Sequence, residues 1–300
     1  MFNSFEREMI RHIVFDKDFV MPSSNKQTYR RILWLKCSGA LRCIKNNPGY
    51  YEKLKLVEQS YPNGSFNQIE LDLPRTYTNL SPGTEEMKNK IAPLRNVLAS
   101  YVKRNTRIGY LQGMNFLVAR LLEIMNEEEA FWMLCQLSES LLPMDYYSNL
   151  LGVLIDLKVF HVLLQRKRPK LLKHMEECDP PFTVNLLAFQ WFLTIFIHHA
   201  NLPLETELTI WDMFFIWGDS IIFSVAITLT ILMQRDILRA ERFDQIYMVC
   251  NSFGKNIDRK TFLSHYVGNF KTEEIEKLRA QFRAEEVENI QASDAAPSFM

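Results

Sequence analysis

Gly109-Tyr110-Leu111-Gln112-Gly113-Met114-Asn115 runs without a break into Phe116-Leu117-Val118-Ala119-Arg120-Leu121-Leu122-Glu123-Ile124-Met125. From Gly113 to Met125 only Asn115, Arg120 and Glu123 are polar. A helix apolar on nearly every side belongs in a core, so its first turn is a fixed point. Outward from this stretch, apolar residues recur at three-and-four spacing, and strict alternation bounded by hairpin signals is nearly absent. The pattern predicts an all-α chain. Helices are expected over 25–45, 48–60, 84–104, 113–125, 127–141, 146–166, 169–177, 184–199, 204–217, 220–238, 241–252, 258–267 and 271–289.

Several boundaries have chemical causes. Asn126 before Glu127, Glu128 and Glu129 supplies an N-cap and first-turn acid, which satisfy orphan amides and the helix dipole, so the acidic triplet needs no ligand. Pro62-Asn63-Gly64 closes the second helix, and Asp179-Pro180-Pro181 forbids continuation, placing a seam between two helical lobes near 179–183. Residues 1–25 form an N-terminal flank, and Gln291 to Met300, small and polar, reads as a loose tail after the last helix. No repeat of fixed period points to a helical solenoid.

With 47% hydrophobic and 23% charged residues, the 300-residue chain has the balance of a soluble globular protein with a sizeable core. Its 35 basic and 35 acidic side chains cancel, so no whole-protein field favours nucleic acid or an anionic membrane. Cys37, Cys43, Cys135, Cys178 and Cys250 are odd in number and widely spaced, as expected of reduced thiols in the cytosol and not of a zinc site. Glu6, Glu8, Asp16 and Asp18 break up the first residues, so no targeting segment is assigned. Ser220 to Met233 is the most apolar window, and a membrane span needs roughly 20 residues, so it reads as a core helix.

Two short strings place an arginine and a glutamine in loop-like settings. Ile69-Glu70-Leu71-Asp72-Leu73-Pro74-Arg75-Thr76 lies between Pro62 and Pro82, with Gly64 and Gly83 near its ends, so the segment is expected to be a proline-stiffened loop presenting Arg75. Asp72 is placed to pair with Arg75 or cap a local turn. Gln112 stands at the mouth of the buried helix, where unpaired amides favour an anion. An arginine brings a permanent cation in a donor fork, and a glutamine brings one donor and one acceptor, suited to a phosphoryl group and an attacking water.

These residues resemble the TBC-domain family of GTPase-activating proteins for Rab GTPases. The resemblance begins at Tyr29-Arg30-Arg31-Ile32-Leu33-Trp34 with Gly39 beyond. It continues through Ile69, Asp72, Arg75 and Thr76, and then Tyr101, Gly109, Tyr110, Gln112, Gly113, Met114 and Asn115. Trp191-Phe192-Leu193, Leu202-Pro203, Ile210-Trp211-Asp212-Met213-Phe214-Phe215 and Gly218 follow in the same order as the family's C-terminal signature. Departures are Leu111 and Thr106, where the family often has cysteine and proline, and Thr209 and Trp217 in place of arginine and acid.

The resemblance implies a V-shaped, two-lobed all-α domain over 26–270, followed by a helix and tail over 271–300. It implies Arg75 and Gln112 as catalytic fingers supplied in trans to a GTP-loaded Rab, with Asp72, Tyr110, Gly113 and Thr76 supporting them. Trp34, Trp211 and Asp212 are implied to be structural. GTP and magnesium would belong to the partner, the chain having no cofactor or metal of its own. The alternative is a helical scaffold that binds a GTPase or another trafficking partner without accelerating hydrolysis. No Walker loop or nucleophile elbow supports a self-sufficient hydrolase. The expected place is cytoplasmic, at most peripheral to endomembranes through the partner.

Two other features have plain readings. Arg166-Lys167-Arg168-Pro169-Lys170, with Lys173 and His174, reads as a solvated connection between helices. His198-His199 reads as surface charge at a helix C-terminus, without the companions a metal would need.

Overall fold

The computed structural model describes residues 26–57, 64–178, 183–197 and 200–295, and among them every regular element is helical. A first group comprises α1 (Lys26–Cys37), α2 (Ala40–Asn46), α3 (Tyr50–Leu56), α4 (Gly64–Thr76), α5 (Glu85–Arg104), α6 (Met114–Leu122) and α7 (Glu127–Gln136). The last of these runs into a π-helical turn, Leu137–Leu141. Helix α5 is the hub, packing against α3, α4, α6 and α7.

The second group contains α8 (Leu151–Lys167), α9 (Pro169–Cys178), α10 (Thr183–Leu193), α11 (Leu204–Trp217), α12 (Ile221–Leu232), α13 (Gln234–Ile237), α14 (Phe243–Phe253), α15 (Arg259–His265) and α16 (Thr272–Ala295). Here α8 is surrounded by α9, α10, α12 and α16. Residues Ile221 to Thr230 of α12 are all buried, which places the most apolar window of the chain in the core of this group. No described helix is long and apolar enough to cross a membrane.

Helix α1 joins the groups, packing on both α2 and α11. Its Trp34 is fully buried, lies 5.4 Å from the Trp211 ring and 5.1 Å from that of Phe215, and donates its indole N–H to Asp212 Oδ1 at 2.8 Å. Arg30 Nε donates to Asp212 Oδ2 at 3.0 Å, and its fork reaches Glu205 at 3.3 Å. Burial lowers the pKa of Arg30, but Asp212 and Glu205 outweigh it and keep the guanidinium charged. A buried carboxylate is tolerated because its oxygens meet a cation and an indole.

The capping signal at α7 is present in full. Asn126 Oδ1 accepts from Glu129 N–H at 3.0 Å, and Glu129 Oε2 accepts from Asn126 N–H at 3.2 Å. Glu129 and Glu127 do further work, binding Arg31 at 2.7 Å and the Tyr51 hydroxyl at 2.6 Å.

Other expectations need correction. The 25–45 helix is two, because Gly39 adopts a left-handed φ of 84° and Ser38 Oγ accepts the Ala40 N–H. The 220–238 helix divides at Met233, and α10 gives way to turns after Leu193. Helix α16 continues past Gln291 to Ala295, into the stretch expected as a tail, and 296–300 lie outside the described residues. The larger correction concerns 64–76, expected as a loop and found as the 13-residue helix α4. Pro74 falls in its final turn and removes a single amide donor, while Ile69, Asp72 and Leu73 bury one face against the core. Only 77–84 remains irregular, ending where Thr84 Oγ1 caps α5 by accepting from Met87 N–H at 3.3 Å. Residues 1–25, Asn63 with Pro62, the Asp179-Pro180-Pro181 seam and His198-His199 lie outside the described residues.

Candidate functional site

Arg75 projects from the last turn of α4, its side chain 67% exposed. Asp72, three residues back, is buried, and its Oδ1 lies 3.9 Å from Arg75 Nη1, a loose ion pair that leaves the guanidinium available. Gln68 Nε2 donates to the same oxygen at 3.3 Å. The other carboxylate of this helix, Glu70, is held by Arg95 through two bonds of 2.6 and 2.9 Å.

Gln112 occupies the tip of a tight turn. Met114 N–H donates to the Leu111 carbonyl at 3.1 Å, which puts Gln112 and Gly113 in the central positions. Gly113 has φ of 108°, which an L side chain resists, and a Cβ there would sit 3.3 Å from Thr194 Cγ2. Gln112 itself is exposed and has no hydrogen-bond partner among the described residues.

One buried network joins the two elements. The Tyr110 hydroxyl lies 2.8 Å from Asp72 Oδ2 and 3.1 Å from Asn115 Oδ1, and its single proton goes to the carboxylate, the stronger acceptor. Asn115 Oδ1 accepts from Gly113 N–H at 3.1 Å, and Asn115 Nδ2 donates to Thr76 Oγ1 at 2.8 Å. The Thr76 hydroxyl donates in turn to the Asp72 carbonyl at 2.9 Å. Burial first, and then the bond to Asp72, push the Tyr110 phenol well above its ordinary range, so it stays a donor. At the near end, Tyr110 N–H donates to Ser65 Oγ at 3.2 Å, and a Cβ on Gly109 would lie 2.8 Å from that oxygen.

Four side chains behind the Gln112 turn capture carbonyls at the end of α10. Tyr146 and Tyr147 donate to Phe192 and Leu193 at 3.1 and 3.0 Å, Thr194 to Gln190 at 2.7 Å, and Trp211 to Ile195 at 3.0 Å. They hold Ile195 and Phe196 at φ of 48° and 63°, a conformation that a β-branched residue adopts only when its surroundings impose it. Thr194 is thereby set against Gly113.

Residues 27–238 match the Rab-GTPase-TBC domain family. The chain belongs to this family. It is 33% identical over 258 residues to TBC1 domain family member 2B of Xenopus tropicalis, covering 82% of this chain and 27% of that protein. It is 35% identical over 242 residues to growth hormone-regulated TBC protein 1-A of Danio rerio, covering 78% of this chain and 64% of that one. Among solved structures, the Chlamydomonas flagellar RabGAP TBC domain superposes with a TM-score of 0.73 at 26% identity, covering 89% of this chain and 86% of the other. The TBC domain here thus spans about a quarter of the length of the first of these relatives.

Within this TBC domain, sequence reasoning left three members of the network without a role: Asn115, Gln68 and Ser65. Asn115 had a usable signal, since a polar residue in the first turn of an otherwise apolar helix must find partners when buried. The basic stretch at the end of α8 faces solvent, as its sequence implies: Arg166, Lys167, Lys170 and Lys173 are exposed, Arg166 binds Glu274 at 2.7 Å, and the His174 ring lies 2.9 Å from the Ala240 carbonyl. The described residues contain no group of side chains that could hold a metal ion.

Proposed function

We propose that this TBC domain accelerates GTP hydrolysis by a Rab-family small GTPase, lending Arg75 and Gln112 in trans. The observation that carries the reading is the Asp72–Tyr110–Asn115–Thr76 network, which fixes the backbone beneath two exposed side chains of complementary chemistry. Phosphoryl transfer is catalysed mainly by positioning and charge stabilisation, and an arginine supplied in trans contributes about 10³- to 10⁵-fold. That corresponds to roughly 4–7 kcal/mol of barrier. Arg75 would neutralise charge developing between the β and γ phosphates. Gln112 would accept from the hydrolytic water and donate to the phosphoryl oxygen, orienting attack. GTP and its magnesium ion come with the partner, and so does any placement at an endomembrane.

The experiment is phosphate release from a panel of GTP-loaded Rab proteins with and without this chain. Acceleration of at least one member is expected, with Arg75→Ala and Gln112→Ala each collapsing it while the melting curve stays unchanged. Wild-type turnover in either variant would sink the two-finger assignment. Binding without acceleration across the panel would favour a scaffold.

A further inference from the structure

We propose that Leu71 is an anchor that docks the GTP-loaded GTPase through an apolar side chain beside the phosphate that Arg75 reaches. The inference rests on the functional reading above and names what that partner must present. Helix α4 buries Ile69, Asp72 and Leu73 and leaves a stripe of Asn67, Glu70, Leu71, Pro74 and Arg75 exposed. At 3.6 residues per turn, Leu71 and Arg75 stand about 40° apart around the axis, neighbours on one face.

Helical side chains lean toward the N-terminus and cover the preceding turn. The 3.9 Å approach of Arg75 Nη1 to Asp72 Oδ1 has that axial direction, placing the guanidinium over the preceding turn on its Asp72 side, with Leu71 in the same turn. One helical turn is about 5.4 Å, whereas a small folded domain is roughly 30 Å across. A GTPase whose γ-phosphate meets Arg75 therefore covers Leu71.

Leu71 is 56% exposed, and an exposed leucine alone means little. Its setting gives it meaning. Glu70, the nearest carboxylate on the stripe, is clamped by Arg95, so no free acid competes for the approaching surface. Pro74 extends the apolar area and offers no amide to bind a polar partner. A hydroxyl or carboxylate set directly on the Leu71 and Pro74 side chains would lose its water without a replacement, so the group that covers them is apolar.

The test uses the Rab identified by the panel and measures kcat and KM for this chain and its variants. Leu71→Gln and Leu71→Ala should each raise KM about tenfold, the loss expected when a leucine no longer becomes fully buried, and leave kcat within about twofold. Leu71→Met should restore KM, since methionine supplies similar apolar area. An unchanged KM in both truncations overturns the proposal and leaves the finger reading intact. A fall in kcat at constant KM also overturns it, by placing Leu71 in finger positioning. A wild-type chain that accelerates no panel member overturns the functional reading and this proposal with it. Melting curves matching wild type are expected because the site is solvent-facing.

Discussion

The Tyr110 hydroxyl donates to Asp72 Oδ2 across 2.8 Å, linking the turn below Gln112 to the helix below Arg75. Tyr110→Phe removes that donor and leaves the buried carboxylate with Gln68 and the loose Arg75 pair, both on Oδ1, at a cost of about 1–3 kcal/mol. Thermal unfolding should show the loss, and kcat should fall further than KM rises. Retention of full kcat would mean that the two elements are positioned without this bond. Because the phenol is held above its ordinary range, the link should persist across any neutral or mildly alkaline assay.

Gly113 is constrained twice, by a φ of 108° and by the Thr194 methyl group. Gly113→Ala meets both, and the left-handed backbone costs about 1–3 kcal/mol by itself. The expected result is a lowered melting temperature and a large fall in kcat. Adding Thr194→Ser removes the methyl and should restore part of the loss, with the backbone part remaining. Full restoration would show that contact alone, without backbone strain, matters at this position.

Asp212 offers the opposite separation of effects. Asp212→Asn leaves Arg30 buried without its main counter-ion, a change worth about 3–5 kcal/mol. The melting temperature should drop by many degrees, while kcat per folded molecule stays near wild type. A selective loss of kcat would give the Trp34–Asp212 contact a part in turnover that its position does not suggest.

Arg279 on α16 is buried and forks onto Asp156 with two bonds of 2.7 Å. Burial pushes the Asp156 carboxyl up to about 6 from its ordinary 3.8, against the pull of Arg279. The folded state thus keeps this proton to higher pH than the unfolded chain. The group's contribution to stability declines as pH rises between those two values and is level above them. Arg279→Met removes the opposing cation and raises the folded-state value further, so the window extends upward. At about pH 8 the variant should lose about 3–5 kcal/mol, and part should return at about pH 5.5. An equal deficit at both pH values would contradict this account.

The helical class and the burial of α6 and α12 were legible because each depends on patterns within a few turns of chain. The α7 cap was legible for the same reason. Helix α4 was not, since three prolines and two glycines read locally as a loop, while the burial of Ile69, Asp72 and Leu73 is imposed from outside. Arg75 therefore sits on a helix end whose direction is fixed by packing. The role of Asn115 depends on Thr76 and Tyr110 meeting it in space, and the strained Ile195–Phe196 turn depends on three distant donors, Tyr146, Tyr147 and Trp211. Such features are set by tertiary contacts and leave little trace in local sequence.

Helix α1 docks on α11 through Arg30 and Trp34, which meet Asp212 across sequence separations of 182 and 178 residues. At a synthesis rate of about 5–20 residues per second, α1 waits roughly 10–40 seconds for the carboxylate it binds. Until then an indole and a guanidinium that end fully enclosed are open to water and to chaperones. Closure of this contact has to wait until Asp212 is made, and contacts of such long separation are slow to form. The seating of α1 on α11 is therefore expected to lag behind the shorter-range helix pairs of the first group.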